Sequence, residues 1–444
     1  MRTDREFASR LLEGAKRGGA DLAEVYVRSS RSLSVEVREQ KVDALESSTD
    51  YGYSLRVIRD KRLGFSFART KEDADSVIAR AIEASRWTEQ DKWLDLPWPS
   101  EQPILRIFDE AVASMNERGA IEKALRIEKA ALDADEWIRK VRKASASFSK
   151  KDALIMNSRG LDMAYSATAC TAQITVVAED GSDSQMGWDF EGSRFLSDVV
   201  FEGVGKKAAT RASLLLRAKT MSSVKCPVIL DNSVATEFLG IFSSLLSSDS
   251  VQKGKSLLAH RQGEEVVNPL VSIVDDGLME RKLGSRPFDD EGVPTCKKYL
   301  IKEGILQGFL YNVYTARKDG VMSTGNAARG GFSGLPGVGP TNLYIPPSPA
   351  SSGAEALCRV MGRGFYITDA MGIHTANPIS GEFSIGISGL WIEGGGLKYP
   401  VKEAVISGNI LDLFKRVRLV GSDLRFYGNM GSPSLLIDPT DISA

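Results

Sequence analysis

The chain has 444 residues, of which 42% are hydrophobic and 26% charged, with a formal net charge of -1 at pH 7. A balance this close to neutral gives no electrostatic pull toward nucleic acid or an anionic membrane, so direct roles on either are disfavoured. The length exceeds what one hydrophobic core usually holds, and two domains are expected. The first twenty residues mix charge with isolated apolar positions. They read as neither signal peptide nor membrane anchor, and the cytoplasm is the expected location. Cys170, Cys226, Cys296 and Cys358 are scattered without a CxxC pair. They read as buried free thiols rather than a disulfide framework or zinc knuckle.

In chain order, Thr3 is placed to cap a helix whose Phe7, Leu11, Leu12 and Ala15 share one face, and Gly18-Gly19 stops it. From Leu22 to Arg69 the pattern shifts to period two, in the segments AEVYVRSS, SLSVEVRE, YGYSLRVIR and RLGFSFAR. This predicts an antiparallel sheet with one wet face. Lys71 to Glu89 returns to helical spacing and covers the dry face. WLDLPWPSEQP, within a connector over residues 90–104, cannot be a regular element. A helix over Ala120 to Asp133 follows, then the strands VRKASASFS, DALIMNS, TACTAQITVVAE and SQMGWDFE, and a helix near Gly203 to Arg217. The order of elements in Tyr53–Ser85 and Ala172–Ser213 agrees with little residue identity, so an internal repeat is a weak signal and chance accounts for it equally well.

Pro227 resets the chain, and CPVILDN reads as a buried strand entering a helix at Asp231-Asn232. The predicted division is residues 1–222 and 223–444. The fold class is α+β, with an N-terminal antiparallel sheet covered by helices and a C-terminal domain of mostly antiparallel β-structure with a few helices. Pro336 to Pro349 reads as an extended loop. Of the 41 glycines, 21 fall between Gly320 and Gly431, consistent with many turns and close backbone approaches.

The chemistry-bearing residues are sparse. His260 and His374 are the two histidines, too far apart to form a local metal pair, and His260 in LLAHRQGEE reads as exposed or at a strand end. A site joining both to Asp276, Glu264 or Glu382 is a minor alternative, since ligands can converge from distant strands. Ser333 has Gly331 before it but Leu335 after it, so GFSGL lacks the flanking glycines of a nucleophile elbow. The glycines of STGNAARGGFSGLPGVGPTNLYI, Ser323–Ile345, lack the Lys and helix of a phosphate loop. That segment reads as a mobile or partner-contacting loop, in which Asn326 and Arg329 either bind a peptide carbonyl or carboxylate or are ordinary solvated side chains. HTANPISGEFS places His374 near Asn377, Ser380, Glu382 and Ser384. It reads either as a lining for an extended peptide or as side chains satisfying an irregular loop's own backbone.

HTANPISGEFS, DDEGVPT, GILQGFLYNVYTA and GNILDLFKRV together closely resemble the TldD/PmbA family, a resemblance sharp from about Gly292 onward and weak in the N-terminal part. The family is known as a zinc peptidase whose working form pairs two related chains, and also as modulators of DNA gyrase. Placed on this chain, its HExxxH zinc motif falls on Leu239, Gly240 and Ser244, which can neither bind zinc nor move the proton. RFYGNMGSPSLLI also lacks the family's C-terminal Cys ligand. The resemblance therefore implies the PmbA/TldE type, with no catalytic residue, metal or cofactor in this chain and zinc in the partner. The implied assembly is a heterodimer with a zinc-bearing TldD-like paralogue, or a homodimer in isolation, acting on unfolded or flexible peptides. His374, Asn377, Glu382, Asn326 and Arg329 are the candidates for substrate-cavity or partner contact. A stand-alone protein-binding modulator, for example of gyrase, and a metal-independent hydrolase are the alternatives.

Overall fold

The computed structural model describes residues 2–349 and 353–443. It begins with α1 (Arg2–Arg17), β1 (Leu22–Arg38), β2 (Lys41–Arg59), β3 (Arg62–Ala68) and α2 (Ala74–Ser85), followed by α3 (Glu110–Ala113), α4 (Glu117–Leu132), β4 (Ile138–Asn157), β5 (Asp162–Asp180), β6 (Asp183–Ser193) and α5 (Phe201–Leu214). All six strands form one antiparallel sheet in the order β3-β2-β1-β4-β5-β6. The separate strands expected in AEVYVRSS and SLSVEVRE are one continuous β1, and VRKASASFS and DALIMNS are one continuous β4. Each lies between two long partners, and their ladders run through the polar Ser-rich stretches that looked like turns. Thr3 lies inside α1 rather than before it.

The helix-strand-strand-strand-helix order occurs twice, and the two copies meet at the β1–β4 pair. Matching glycines carry the repeat in side-chain terms. At Gly64 in β3 a Cβ would run into the Ala81 carbonyl of α2, and at Gly187 in β6 it would run into Ala208 and Ala212 of α5. Glycine at these two places lets each helix lie directly on its outer strand. Two hydrophobic cores result, and the central strands serve both. Val25 and Val27 of β1 pack with α1 and α2, whereas Leu33, Val35 and Val37 pack with α4 and α5.

Beyond Val224 the chain builds β7 (Val224–Leu230), α6 (Asn232–Ser243), α7 (Ser248–Gln252), β8 (Ile273–Asp276), β9 (Lys297–Lys302), β10 (Ile305–Leu306), α8 (Val313–Asp319), β11 (Ala327–Ala328), β12 (Gly337–Val338) and β13 (Leu343–Tyr344). It continues through α9 (Ala354–Met361), β14 (Arg363–Met371), β15 (Glu382–Glu393), β16 (Gly396–Asn409), α10 (Ile410–Lys415), β17 (Val417–Val420), β18 (Arg425–Tyr427), β19 (Met430–Ser432) and β20 (Leu435–Ser443). One sheet runs β16-β15-β14-β7-β20-β17, and a further β16–β20 pairing closes its first five strands into a barrel. Only β7–β14 is parallel there. A second sheet, β10-β9-β8-β13-β19-β18, lies alongside. The class is α+β, as expected from the alternating patterns. The expected loop over 336–349 carries the short strands β12 and β13.

The N-terminal sheet is joined to this part by buried charge. Arg56 of β2 donates to Glu24 of β1 at 2.6 Å and to Glu291 of the DDEGVPT segment at 2.9 Å. Arg329 bonds the other oxygen of Glu24 and donates to the Asp290 carbonyl at 3.0 Å, while its guanidinium lies over the Tyr26 ring. Glu291 also accepts the Val313 N–H that opens α8, at 2.8 Å. Glu24, Glu291 and Arg329 are each about 1% exposed or less at the side chain. Among the described residues no helix is long and apolar enough to cross a membrane.

Gly187→Ala is expected to destabilise the protein by about 1–3 kcal/mol in urea unfolding, because backbone must shift to admit the methyl. Gly396→Ala, with open space around it, is expected to change stability by less than about 0.5 kcal/mol. Arg56→Met takes a cation from two buried carboxylates, leaving Glu24 to Arg329 and Glu291 to the Val313 N–H, and is expected to cost about 3–5 kcal/mol in the same measurement. A cost below about 1 kcal/mol would show that the network is dispensable for the fold.

Candidate functional site

β7 runs up the middle of the barrel sheet and delivers Asp231 to the start of α6. The Asp231 carboxylate accepts from the Ser233 N–H at 3.1 Å and from the Ser233 hydroxyl at 2.6 Å, capping the helix. It also receives Arg211 Nη2 at 2.7 Å and the Tyr366 hydroxyl at 2.6 Å. Burial works to raise its pKa, but Arg211 and these hydrogen bonds outweigh that and hold it below the usual carboxylate range. Asn232 accepts from the Tyr427 hydroxyl at 2.9 Å, which brings β18 to the same spot.

α6 buries Val234, Phe238, Leu239 and Phe242 in the barrel core and leaves Glu237, Gly240, Ile241 and Ser244 partly exposed. Leu239 is fully buried among apolar side chains, and Gly240 has no side chain. Ser244 donates its hydroxyl to the Ile241 carbonyl at 2.9 Å. These three positions do not fit a metal. Among the described residues no three His, Cys, Asp or Glu side chains converge as a metal site, so His260 and His374 do not meet Asp276, Glu264 or Glu382 in a common cluster.

The charged residue on α6 is Glu237. Its Oε2 is buried without a hydrogen-bond partner among the described residues, as is Arg211 Nη1. Burial, with the nearby Asp369 charge adding to it, pushes Glu237 up to about 7. Burial likewise raises Asp369, which accepts from the Trp188 indole N–H at 3.0 Å. Trp188 meets Tyr427 edge to face with ring centres 5.6 Å apart, and beside them Arg425 grips both oxygens of Asp189 at 2.6 and 2.7 Å. A cavity of about 370 Å³ opens against Trp188, Asp189, Phe190 and Tyr427. The neutralisable carboxyl of Glu237 on α6, the Arg211 guanidinium of α5 and an aromatic-walled hollow between β6 and β18 thus lie where N- and C-terminal parts of the chain meet. A larger cleft of about 600 Å³ lies elsewhere on that junction, lined by Arg56, Glu291, Asp91, Tyr314 and Leu335 among others.

The residues singled out from sequence are dispersed. His374 is exposed on a short 3-10 turn, and His260 is exposed in a turn with φ of 63°. Asn377 accepts from the Ile379 and Ser380 N–H groups with its side chain, the local role open to it in an irregular loop. Glu382 is exposed and accepts weakly from the Ser380 hydroxyl at 3.3 Å. Asn326 and Arg329 differ most from the expected mobile, solvent-facing loop. Asn326 is fully buried and bonded to Asp275, Lys298 and Gly339, and Arg329 belongs to the ion network that holds the two parts together. Ser333 is exposed in a loop with no strand-to-helix turn. Cys296 is exposed, while the other three cysteines are buried as expected. Sequence reading passed over Glu237, although a lone charge in the otherwise uncharged α6 was a visible signal.

Three PmbA/TldA metallopeptidase family domains match the chain: domain 1 over residues 23–85, the central domain over 110–216 and the C-terminal domain over 223–444. The chain belongs to the TldD/PmbA family. It is 31% identical to the Escherichia coli O157:H7 metalloprotease PmbA, over 99% of this chain and 95% of that one. It is also similar to two Haemophilus influenzae proteins. The metalloprotease PmbA homolog is 30% identical over 99% of this chain and 96% of its own length, and the metalloprotease TldD homolog is 29% identical over 90% and 85%. Its fold matches the crystal structure of a Thermotoga maritima protein named for modulation of a DNA gyrase, with a TM-score of 0.92 at 30% identity, over 99% of this chain and all of that one. TldE from Thermococcus kodakarensis shares the fold, with a TM-score of 0.91 at 24% identity, over 99% of this chain and all of that one.

The raised Glu237 pKa has a definite sign. Between its ordinary value of 4.5 and about 7 the native state holds a proton that the unfolded chain has released, so this group's contribution to stability falls as pH rises through that window. Glu237→Gln removes the dependence. Urea unfolding across the window is expected to show the wild type losing on the order of 2 kcal/mol more than the variant, a figure discounted for partial exposure. Parallel pH curves for the two proteins would mean that Glu237 ionises normally.

Proposed function

We propose that this chain is the PmbA/TldE-type subunit of a heterodimeric, cytoplasmic TldD/TldE-type metalloprotease acting on unfolded or flexible peptides. One observation carries the reading. The family fold is complete around α6, yet Leu239, Gly240 and Ser244, on which the resemblance puts the HExxxH motif, are buried, bare or self-bonded. A TldD-like partner would then hold the zinc, which supplies a polarised, activated water for amide hydrolysis. The presence of both PmbA-like and TldD-like relatives in Haemophilus influenzae fits this division of labour. This chain's part is to close the cavity and orient the peptide, with the aromatic hollow at Trp188 and Tyr427 available to a substrate side chain and the exposed HTANPISGEFS turn available to peptide or partner.

A second reading, a protein-binding modulator without catalysis, is supported by the name of the Thermotoga maritima relative. Cleavage of an unfolded peptide separates the two, measured with this chain alone, with an HExxxH-bearing relative from the same organism alone, and with the mixture, each with and without a chelator. Chelator-sensitive cleavage confined to the mixture is expected. Cleavage by this chain alone would overturn the subunit reading, and silence in every arm would favour the modulator.

A further inference from the structure

The N-terminal sheet has one face under its helices and a second face of different chemistry. Side chains alternate along each strand, and Ala172, Ile174 and Val176 of β5 join Ala144 and Ala146 of β4 in the core beneath α4 and α5. The residues between them point the other way. Cross-strand pairing sets these in rows, with Trp188, Thr175 and Lys143 in one and Phe190, Gln173, Ser145 and Glu36 in the next. A third row brings Thr171, Ser147 and Ser34 together, the two serine hydroxyls 2.7 Å apart. All of these except Ser145 are partly or wholly exposed. A shelf of hydroxyl and amide groups therefore leads up to the hollow of about 370 Å³, whose floor is Trp188, Phe190, Gln173 and Thr175 and whose far wall is Tyr427-Gly428.

The hollow is built to stay open. The Trp188 indole N–H is held by Asp369 at 3.0 Å, and the Tyr427 hydroxyl donates to Asn232 at 2.9 Å. Rings fixed in this way do not turn inward to fill the space, so little further ordering is needed when a guest enters. Its charge is also selective. The Arg211 guanidinium lies 5.4 Å from the Trp188 ring centre and that of Arg425 lies 5.1 Å from the Tyr427 ring centre. The carboxylates around it are engaged, Asp189 by Arg425 at 2.6 Å, Glu36 by Lys143 at 2.8 Å and Asp369 by the indole. A lysine or arginine side chain entering here would meet like charge and no free counter-ion. A neutral ring would meet three aromatic side chains, the surroundings in which edge-to-face contacts form.

We propose that this hollow is a specificity pocket that takes an aromatic side chain of an extended peptide, with the flanking main chain lying along the hydroxyl shelf. The volume is near the lower end for small-ligand sites, suited to one large side chain rather than a folded segment. The inference rests on the peptide-orienting role of this chain and adds what that role selects.

The test is a ligand-observed NMR titration of the full chain, alone, with short blocked Ser/Ala peptides that differ at one central residue. Phenylalanine in place of alanine is expected to tighten binding by about tenfold or more, from burial of the ring. Leucine is expected to bind about two- to tenfold more weakly than phenylalanine, for want of ring contacts, and lysine no better than alanine. In Thr175→Trp a new ring on the floor fills the hollow, and the phenylalanine advantage is expected to vanish. Lys16→Trp, which adds the same ring on the exposed side of α1, should keep it. The peptide series on the unaltered protein decides the matter even where Thr175→Trp fails to fold. Equal binding of the phenylalanine, lysine and alanine peptides, a phenylalanine advantage that survives in folded Thr175→Trp, or a preference for a neutral oligosaccharide over every peptide would each overturn the proposal. No cleavage is measured, so failure of the subunit reading and failure of this pocket show up in separate experiments.

Discussion

The buried ion network in the junction between the N-terminal sheet and the C-terminal part centres on Glu24. This one carboxylate, fully enclosed, is shared between Arg56 from the neighbouring strand and Arg329 from a loop 305 residues further on. Both arginines then reach the DDEGVPT segment, Arg56 through the Glu291 side chain and Arg329 through the Asp290 backbone. A buried ion pair gives little net stability relative to an apolar contact of the same shape, but it tolerates very few geometries. The network therefore acts on position more than on affinity. It sets where the six-stranded sheet sits against the loops that carry the second cleft, and Asp289 extends the same control by accepting the Glu291, Val293 and Ala327 N–H groups.

α6 shows what can change while such a frame is kept. Its inner face, Val234, Phe238, Leu239 and Phe242, is a fully apolar stripe that plugs the barrel core, and its entry is fixed by Asp231. The outer face carries no structural duty of that kind, so Gly240 and Ser244 are sterically free to be many residues. Substitution on that face leaves the architecture intact. What remains beside it is a different chemistry, a carboxyl poised near neutrality next to a buried guanidinium, and proximity to the junction means that its protonation is felt by residues from both parts of the chain.

Much of the fold was legible from pattern. The period-two stretches, the helical spacing of α2 and α4, the irregular Pro- and Trp-rich connector and the strand into α6 at Asp231 all follow from local chemistry that needs no partner. Strand length was not legible, because Ser- and Lys-rich segments look like turns until β1 and β4 are seen to be hydrogen-bonded on both sides. At the site, the chemistry of Leu239, Gly240 and Ser244 was plain from the sequence, as none of the three side chains is a zinc ligand. Arg329 and Asn326 could not be placed, since an arginine in a glycine-rich loop looks solvated unless its counter-charge, here from β1, is known. Trp188, Arg211 and Asp369 come from three distant segments and carry no local motif at all.

The two cores under the N-terminal sheet do not belong to one repeat each. β1 leaves the first core halfway along its length and ends in the second, and β4 makes the reverse crossing, with Phe148 in one core and Leu154 in the other. The two copies of the unit are thus interlocked in the manner of an exchanged dimer fused into one chain. Neither repeat owns a complete interior, so the sheet must form and dissolve as a single cooperative body, and a disturbance at one end is carried by two stiff ribbons straight into the packing of the other.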